Sequence, residues 1–263
     1  MLGPEENIKS ITRDDIIQYM NDYYTGQNVV VAVVGAVDHD EVVRQAEQHF
    51  SSLDYGTPNN VPDADYLGGI HSEVKDFQQS TIILGFPCST LKENYFVDSV
   101  AASLLGGGMS SPLFDEVREK RGLVYGVGCF ALHEENYGQF LITAGTSPEK
   151  VEEYTSVVAT VLKEARNDLK DEDLQRAINT ICVDLVRSQE KPFKYLRNQV
   201  ESLFIEGRTV SVEELLKGFR EVTKEQVKER MTSIFSHKPT ISVVGPMDHG
   251  EELVEKLVSG IMN

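Results

Sequence analysis

An arginine and a tyrosine seven positions apart, Arg118 and Tyr125, stand in the least ordinary stretch of this chain. It reads Leu104-Leu-Gly-Gly-Gly-Met-Ser-Ser-Pro-Leu-Phe-Asp-Glu-Val-Arg118-Glu-Lys-Arg-Gly-Leu-Val-Tyr125. Arg118 falls near the end of a short predicted helix, and Tyr125 lies on a strand beyond a turn at Gly122. On one side of such a turn, a guanidinium fork and a phenol can donate hydrogen bonds to the same carbonyl group. Ahead of them, Gly106, Gly107, Gly108, Met109 and Ser110 form a candidate substrate-binding loop, bare enough for another chain to approach closely. The plainer alternative is a tight helix–helix connection in which glycine supplies positive φ.

Other chemistries find no footing. A helical zinc site needs two histidines one turn apart, and His39, His49, His71, His133, His237 and His249 come no nearer than ten positions. No metal ligand is therefore expected in this chain, and a site assembled from distant histidines has no support. Cys88, Cys129 and Cys182 are scattered and odd in number, neither a disulfide framework nor a zinc knuckle. They read as core residues in a reducing compartment. There is no Gly-x-Ser-x-Gly elbow and no phosphate-binding loop. Gly126-Val-Gly128 lacks a third glycine and falls inside a strand pattern, so a dinucleotide site is not indicated.

The elements that must position these residues follow from patterning. Thr12 caps a helix to about Tyr23, Val29–Val34 is a continuous apolar run expected to be a buried strand, and Asp38 or Asp40 caps the next helix. A polar linker with Gly and Pro spans 55–66. Beyond it come a strand over Thr81–Phe86, an apolar helix over 96–105, and a Ser111-Pro112 helix start ended by Gly122. Two antiparallel strands, Leu123–Leu132 and Gln139–Ala144, are joined through 134–138. Long helices follow Ser147-Pro148, with capping boxes at Ser211 and Thr223. Hairpin-paired strands and clustered helices make the fold class α+β.

The 263 residues carry 42 acidic and 25 basic side chains, a formal charge of −17. That balance excludes a phosphate-backbone footprint and hence nucleic acid. It fits a solvated acidic surface or one that draws in cationic peptides. The longest apolar run, 29–37, is too short for a membrane span, and the N-terminus has no secretory signal pattern.

The chain also echoes itself. Thr12-Arg-Asp-Asp, Ile16, Met20, Tyr24, Val29–Gly35 and Asp38-His39 return as Thr223-Lys-Glu-Gln, Val227, Met231, Phe235, Ile241–Gly245 and Asp248-His249. The offset is 211 positions at the threonine and 210 at the glycine and histidine. Such a period means duplication of a whole domain. The expected organisation is the tail of a first domain over 1–54, a linker over 55–66 and a complete second domain over 67–263. About 160 residues of the first copy would lie upstream, making Met1 an internal start. A strand separated from its parent sheet exposes an edge, so a homodimer, or docking of residues 1–50 onto the second domain, is expected.

The segments Leu104–Ser111 and Phe114-x-x-Val-Arg118-Glu-Lys-Arg-Gly-Leu-Val-Tyr125 closely resemble the second domain of the pitrilysin, or M16, zinc metallopeptidases. The branch most similar is that of the mitochondrial processing peptidase β subunit and its bacterial relatives. Leu2–Ile8 through Tyr24 and Gly35-x-Val-Asp-His39 resemble the close of that family's first domain. The resemblance implies the processing-peptidase metallohydrolase fold, a mixed, mostly antiparallel sheet with helices on one face. It implies zinc held by the first domain's His-x-x-Glu-His, a motif absent here, and a peptide or unfolded polypeptide as substrate. Arg118 and Tyr125 match the family's substrate-contacting pair. The chain would be inactive alone, a closing half that needs its zinc-bearing partner in the bacterial cytoplasm or mitochondrial matrix. The alternative is a non-catalytic subunit or scaffold of the core-protein type.

Overall fold

The computed structural model describes residues 3–59 and 61–262. In chain order it contains α1 (Glu5–Ser10), α2 (Arg13–Tyr23), α3 (His39–Phe50), β1 (Gly69–Val74), β2 (Ser80–Pro87) and α4 (Tyr95–Gly106). A single turn, α5 (Pro112–Phe114), continues as a π-helix over Asp115–Lys120, then β3 (Val124–His133) and β4 (Gly138–Thr146). Next come α6 (Val151–Asn167), α7 (Asp171–Gln189), α8 (Pro192–Glu206), α9 (Val212–Arg220), α10 (Lys224–Ile234), β5 (Thr240–Gly245) and α11 (Glu251–Met262). Two compact units result. One contains the chain up to Pro62 together with Gln189–Thr209, and the other contains Asp63–Ser188 and Val210 onward.

The larger unit holds a five-stranded sheet in the order β1-β5-β2-β4-β3, parallel only between β1 and β5. Alternation sends Ile82, Leu84 and Phe86 of β2, Phe140 and Ile142 of β4, and Ile241 and Val243 of β5 to one buried face. Helices cover that face. Val100, Leu104 and Leu105 of α4, Tyr154, Val158 and Leu162 of α6, and Met231 and Ile234 of α10 complete the core. Phe235 sets its ring edge-on to both Phe86 and Phe140, with centroids 5.2 and 5.7 Å away. The opposite face carries Ile83, Phe130 and Leu132, all partly exposed. The α+β class and the mostly antiparallel sheet are as expected from the sequence.

The duplicated helices, two in each unit, form as their caps require. Thr12 and Asp15 close a capping box on α2, and Thr223 and Gln226 close the matching one on α10. Both helices have 11 residues, and α3 and α11 both have 12. Removing the hydroxyl in Thr223→Ala leaves the Gln226 amide without its acceptor and should cost about 1 kcal/mol in urea unfolding.

The apolar run Val29–Val34 departs from expectation. It is no strand: no described residue forms a ladder with it, and Val31, Val33 and Val34 are exposed. Its counterpart β5 is a strand because β1 and β2 flank it with free donors and acceptors. Apolar residues favour a strand, but the ladder partners make one. Likewise α2 and α3 bury nothing, whereas α10 buries Val227, Met231 and Ile234. The linker is anchored at its start, where the amides of Gly26 and Gln27 donate to the carbonyls of Asp54 and Tyr55 at 2.8 and 3.0 Å. Sequence patterning missed β1, α1 and α8.

Candidate functional site

Helix α4 exists because Val97, Val100, Ala101, Leu104 and Leu105 recur at helical spacing, all buried. It ends where Gly106 lets it touch β3. A Cβ there would sit 2.5 Å from the Cys129 Cβ and 2.6 Å from the Cys129 backbone nitrogen. Gly106→Ala should therefore force the helix off the sheet and lower stability by about 1–3 kcal/mol, measurable by urea titration. The first of the three glycines thus serves helix–strand packing and has no positive φ, whereas Gly108 in the loop does.

The loop that follows is closed from beneath. The Ser111 hydroxyl and amide both donate to the Gly108 carbonyl, at 2.6 and 3.0 Å. Ser111 was expected to cap the next helix with its side chain, but that hydroxyl is turned back into the loop and only its carbonyl accepts from the Asp115 amide. Met109 stands out at 75% exposure, and Ser110 is exposed beside it. These two line a cleft of about 720 Å3, together with Pro112, Asp115 and Glu116 and, across it, Val161, Glu164 and Asp168. Gly106, Gly107, Gly108, Arg118 and Tyr125 do not line it.

The segment after Pro112 was expected to be one helix. It makes one α turn and then widens into a π-helix over Asp115–Lys120, an arrangement common at functional sites. Gly122 ends it at φ +57, a left-handed conformation suited to glycine. Its amide donates to Arg118 and the next amide, of Leu123, donates to Val117. Glu116 engages both Lys120 and Arg121. The hydrogen bond from Lys120, then that from Arg121, holds the Glu116 carboxyl below its ordinary range. Arg118 is left apart, its guanidinium 4.6 Å from the Phe114 ring centre and 3.7 Å from Glu119.

Tyr125 follows on β3, at the outer edge of the sheet, where the register with β4 slips between Val124 and Val127. Such a bulge re-aims a side chain, and Tyr125 is 82% exposed. Among the described residues its hydroxyl has no hydrogen-bond partner, and no hydrogen bond joins it to Arg118. The predicted pair thus stands on one continuous segment, with both donors open and unjoined.

Sequence reasoning missed a buried network at the other end of β3, around His133. Asp98, on α4 and 0% exposed, accepts from Arg230 Nε at 2.6 Å, from Arg230 Nη2 at 3.1 Å and from the Ser89 amide at 2.7 Å. Arg230 also donates to the Ser89 hydroxyl. His133 lies with Nδ1 2.8 Å from the Ser89 carbonyl and Nε2 3.2 Å from the Ser99 hydroxyl. Cys88, expected to be a core residue, is only partly buried and lies 3.9 Å from His133 Nδ1. Burial, then the Asp98 charge, pushes its thiol up to about 12. The only sequence signal was an aspartate at a core position of an apolar helix.

The profile described as "Peptidase M16 inactive domain" matches residues 10–181. The chain belongs to the peptidase M16 family. An uncharacterized zinc protease of Rickettsia bellii is 32% identical over 94% of this chain, and one of Bacillus subtilis is 24% identical over the same share. The chain spans about 60% of the length of these relatives. The crystal structure of a peptidase M16 inactive domain from Pseudomonas fluorescens superposes with a TM-score of 0.80 at 25% identity, over 94% of this chain and 61% of that one. A chain of Complex III2 from Candida albicans shares the fold at TM-score 0.88 and 17% identity, over 97% of this chain and 65% of its own. The family's zinc motif does not fit here, because α4 carries no histidine and its inward face is apolar apart from Asp98. No helix among the described residues is long and apolar enough to cross a membrane.

Proposed function

We propose that this chain is the closing part of an M16-type zinc endopeptidase of the processing-peptidase kind, inactive alone and completed by a zinc-bearing half. The supporting observation is the pair of open donors on one segment. Arg118 is set aside from the Glu116 ion pairs, and the Tyr125 hydroxyl is unpartnered on an edge strand. When bound in the other half, zinc would polarise the scissile carbonyl and activate water. The task of this chain is to hold an extended or unfolded polypeptide against that centre, with Arg118 and Tyr125 donating to its carbonyl oxygen. Gly106–Ser110 would border the bound chain, Met109 and Ser110 with their side chains.

The echo of α2 and α3 in α10 and α11 supports reading residues 1–54 as the close of the zinc-bearing domain, 55–66 as linker and 67–263 as the second domain. Three unpaired cysteines suit a reducing compartment such as the bacterial cytoplasm or the mitochondrial matrix. The family description, an inactive domain, favours a second reading as a non-catalytic subunit. Mixing the purified chain with a zinc-bearing M16 half and following cleavage of an unfolded peptide separates the two. Cleavage by the mixture and by neither part alone is expected. Co-elution of the two parts without cleavage would replace this reading with the scaffold.

A further inference from the structure

Cys88, Asp98 and His133 are separated by up to 45 positions in sequence, yet their donor atoms all lie within 4.8 Å of one another. Among the described residues no other three His, Cys, Asp or Glu side chains meet this closely. They come from the end of β2, the buried face of α4 and the end of β3. We propose that they form a binding site for a divalent transition-metal ion such as zinc, with the Ser89 carbonyl as fourth donor. The proposal does not rest on the peptidase reading.

The donor spacings suit a tetrahedral ion. Metal–ligand lengths of about 2.3 Å to sulfur and about 2.0–2.1 Å to nitrogen and oxygen put sulfur about 3.6 Å from the other donors, and nitrogen about 3.4 Å from oxygen. Here Cys88 Sγ is 3.9 Å from His133 Nδ1 and 3.8 Å from the Ser89 carbonyl oxygen. The Nδ1-to-carbonyl distance is 2.8 Å. To close the shell the imidazole and the carbonyl must part by about 0.6 Å, and the Asp98 carboxylate draws in from within 4.8 Å of the other two side chains.

The surroundings are already in place. With no ion, Nδ1–H donates to the Ser89 carbonyl and Nε2 accepts from Ser99. On binding, the imidazole takes its other neutral tautomer, so that Nε2–H donates to the Ser99 hydroxyl and Nδ1 turns its lone pair to the metal. Both Asp98 oxygens are held, but Oδ1 accepts only from Arg230 Nε and keeps a lone pair free. Cys88 binds as thiolate and its proton leaves to solvent. Arg230 adds a positive charge beside the site, and Glu93, which acts on both Cys88 and Arg230, offsets it. The thiolate and two carboxylates then balance the ion and the guanidinium. Bound there, the ion would tie β2, α4 and β3 together at one end of the sheet.

Cobalt(II) titration of the apo chain tests this by the near-ultraviolet thiolate charge-transfer band and the visible bands of tetrahedral cobalt. One equivalent should bind with both signatures, and one equivalent of zinc should displace it. Cys88→Ser should abolish the charge-transfer band, and His133→Gln should weaken binding at least about 10-fold. Ser99→Ala, which only removes the hydroxyl behind the imidazole, should weaken it about 10–100-fold. Circular dichroism of each variant without metal confirms that it is folded. The absence of a charge-transfer band in the parent chain, or unchanged cobalt binding in folded Cys88→Ser and His133→Gln, overturns the site.

Discussion

Asp98→Ala will cost the sheet-bearing unit about 3–5 kcal/mol of stability, read as a lower urea midpoint by circular dichroism with chelator present. The size follows from what remains. Asp98 is fully buried and paired with Arg230, and it is the acceptor for the Ser89 amide. Truncation strands a half-buried guanidinium and a backbone N–H at once, and an uncompensated buried charge costs more than its pair contributes. Asp98→Asn keeps an acceptor but removes the charge and should fall between. The double variant Asp98→Leu/Arg230→Met should recover much of the loss, because a matched apolar pair leaves no charge unpaired. A midpoint unmoved in Asp98→Ala would mean that the pair has no structural weight.

Arg118→Ala and Tyr125→Phe should each lower kcat by about 10²–10³ in a reconstituted M16 peptidase, with the unfolding midpoint of the chain unchanged. The two halves of this expectation rest on different observations. The kinetic half rests on each side chain supplying a donor whose value appears as negative charge grows on the carbonyl oxygen. The stability half rests on exposure. Tyr125 buries little, and among the described residues Arg118 meets only the Phe114 ring and a distant Glu119 carboxylate. Because the effect belongs to the transition state, kcat should fall with little change in KM. Lys120→Ala is the control, since its ammonium is on Asp115 and Glu116 and its loss should leave kcat near the parent value. Parent-like rates from both Arg118→Ala and Tyr125→Phe would remove these residues from the reaction.

What could be read from the residues alone was local or periodic. The Thr12 and Thr223 capping boxes, the Ser211 cap, the α4 stripe and the β3–β4 hairpin each depend on neighbours a few positions away. The repeat, one stretch of sequence matched to another 210–211 positions on, likewise marks α10 and β5 along the chain. The Arg118-to-Tyr125 segment was legible for the same reason, as one continuous piece of chain. Its π-turn and bulge were not, because a widened helix and a slipped register depend on what packs beneath and beside them.

Distance in sequence marks the limit. Val29–Val34 has as good a strand composition as β5, yet β5 alone has β1 and β2 to either side, and a ladder needs those partners. Asp98 met Arg230 across 132 positions, and Cys88 met His133 across 45. Neither spacing has a motif, since no turn or helix period connects residues so far apart. Propensity, capping and repetition are written along the chain. Ladder partners, buried ion pairs and converging donors exist only once packing has excluded water and brought distant segments within a few ångströms.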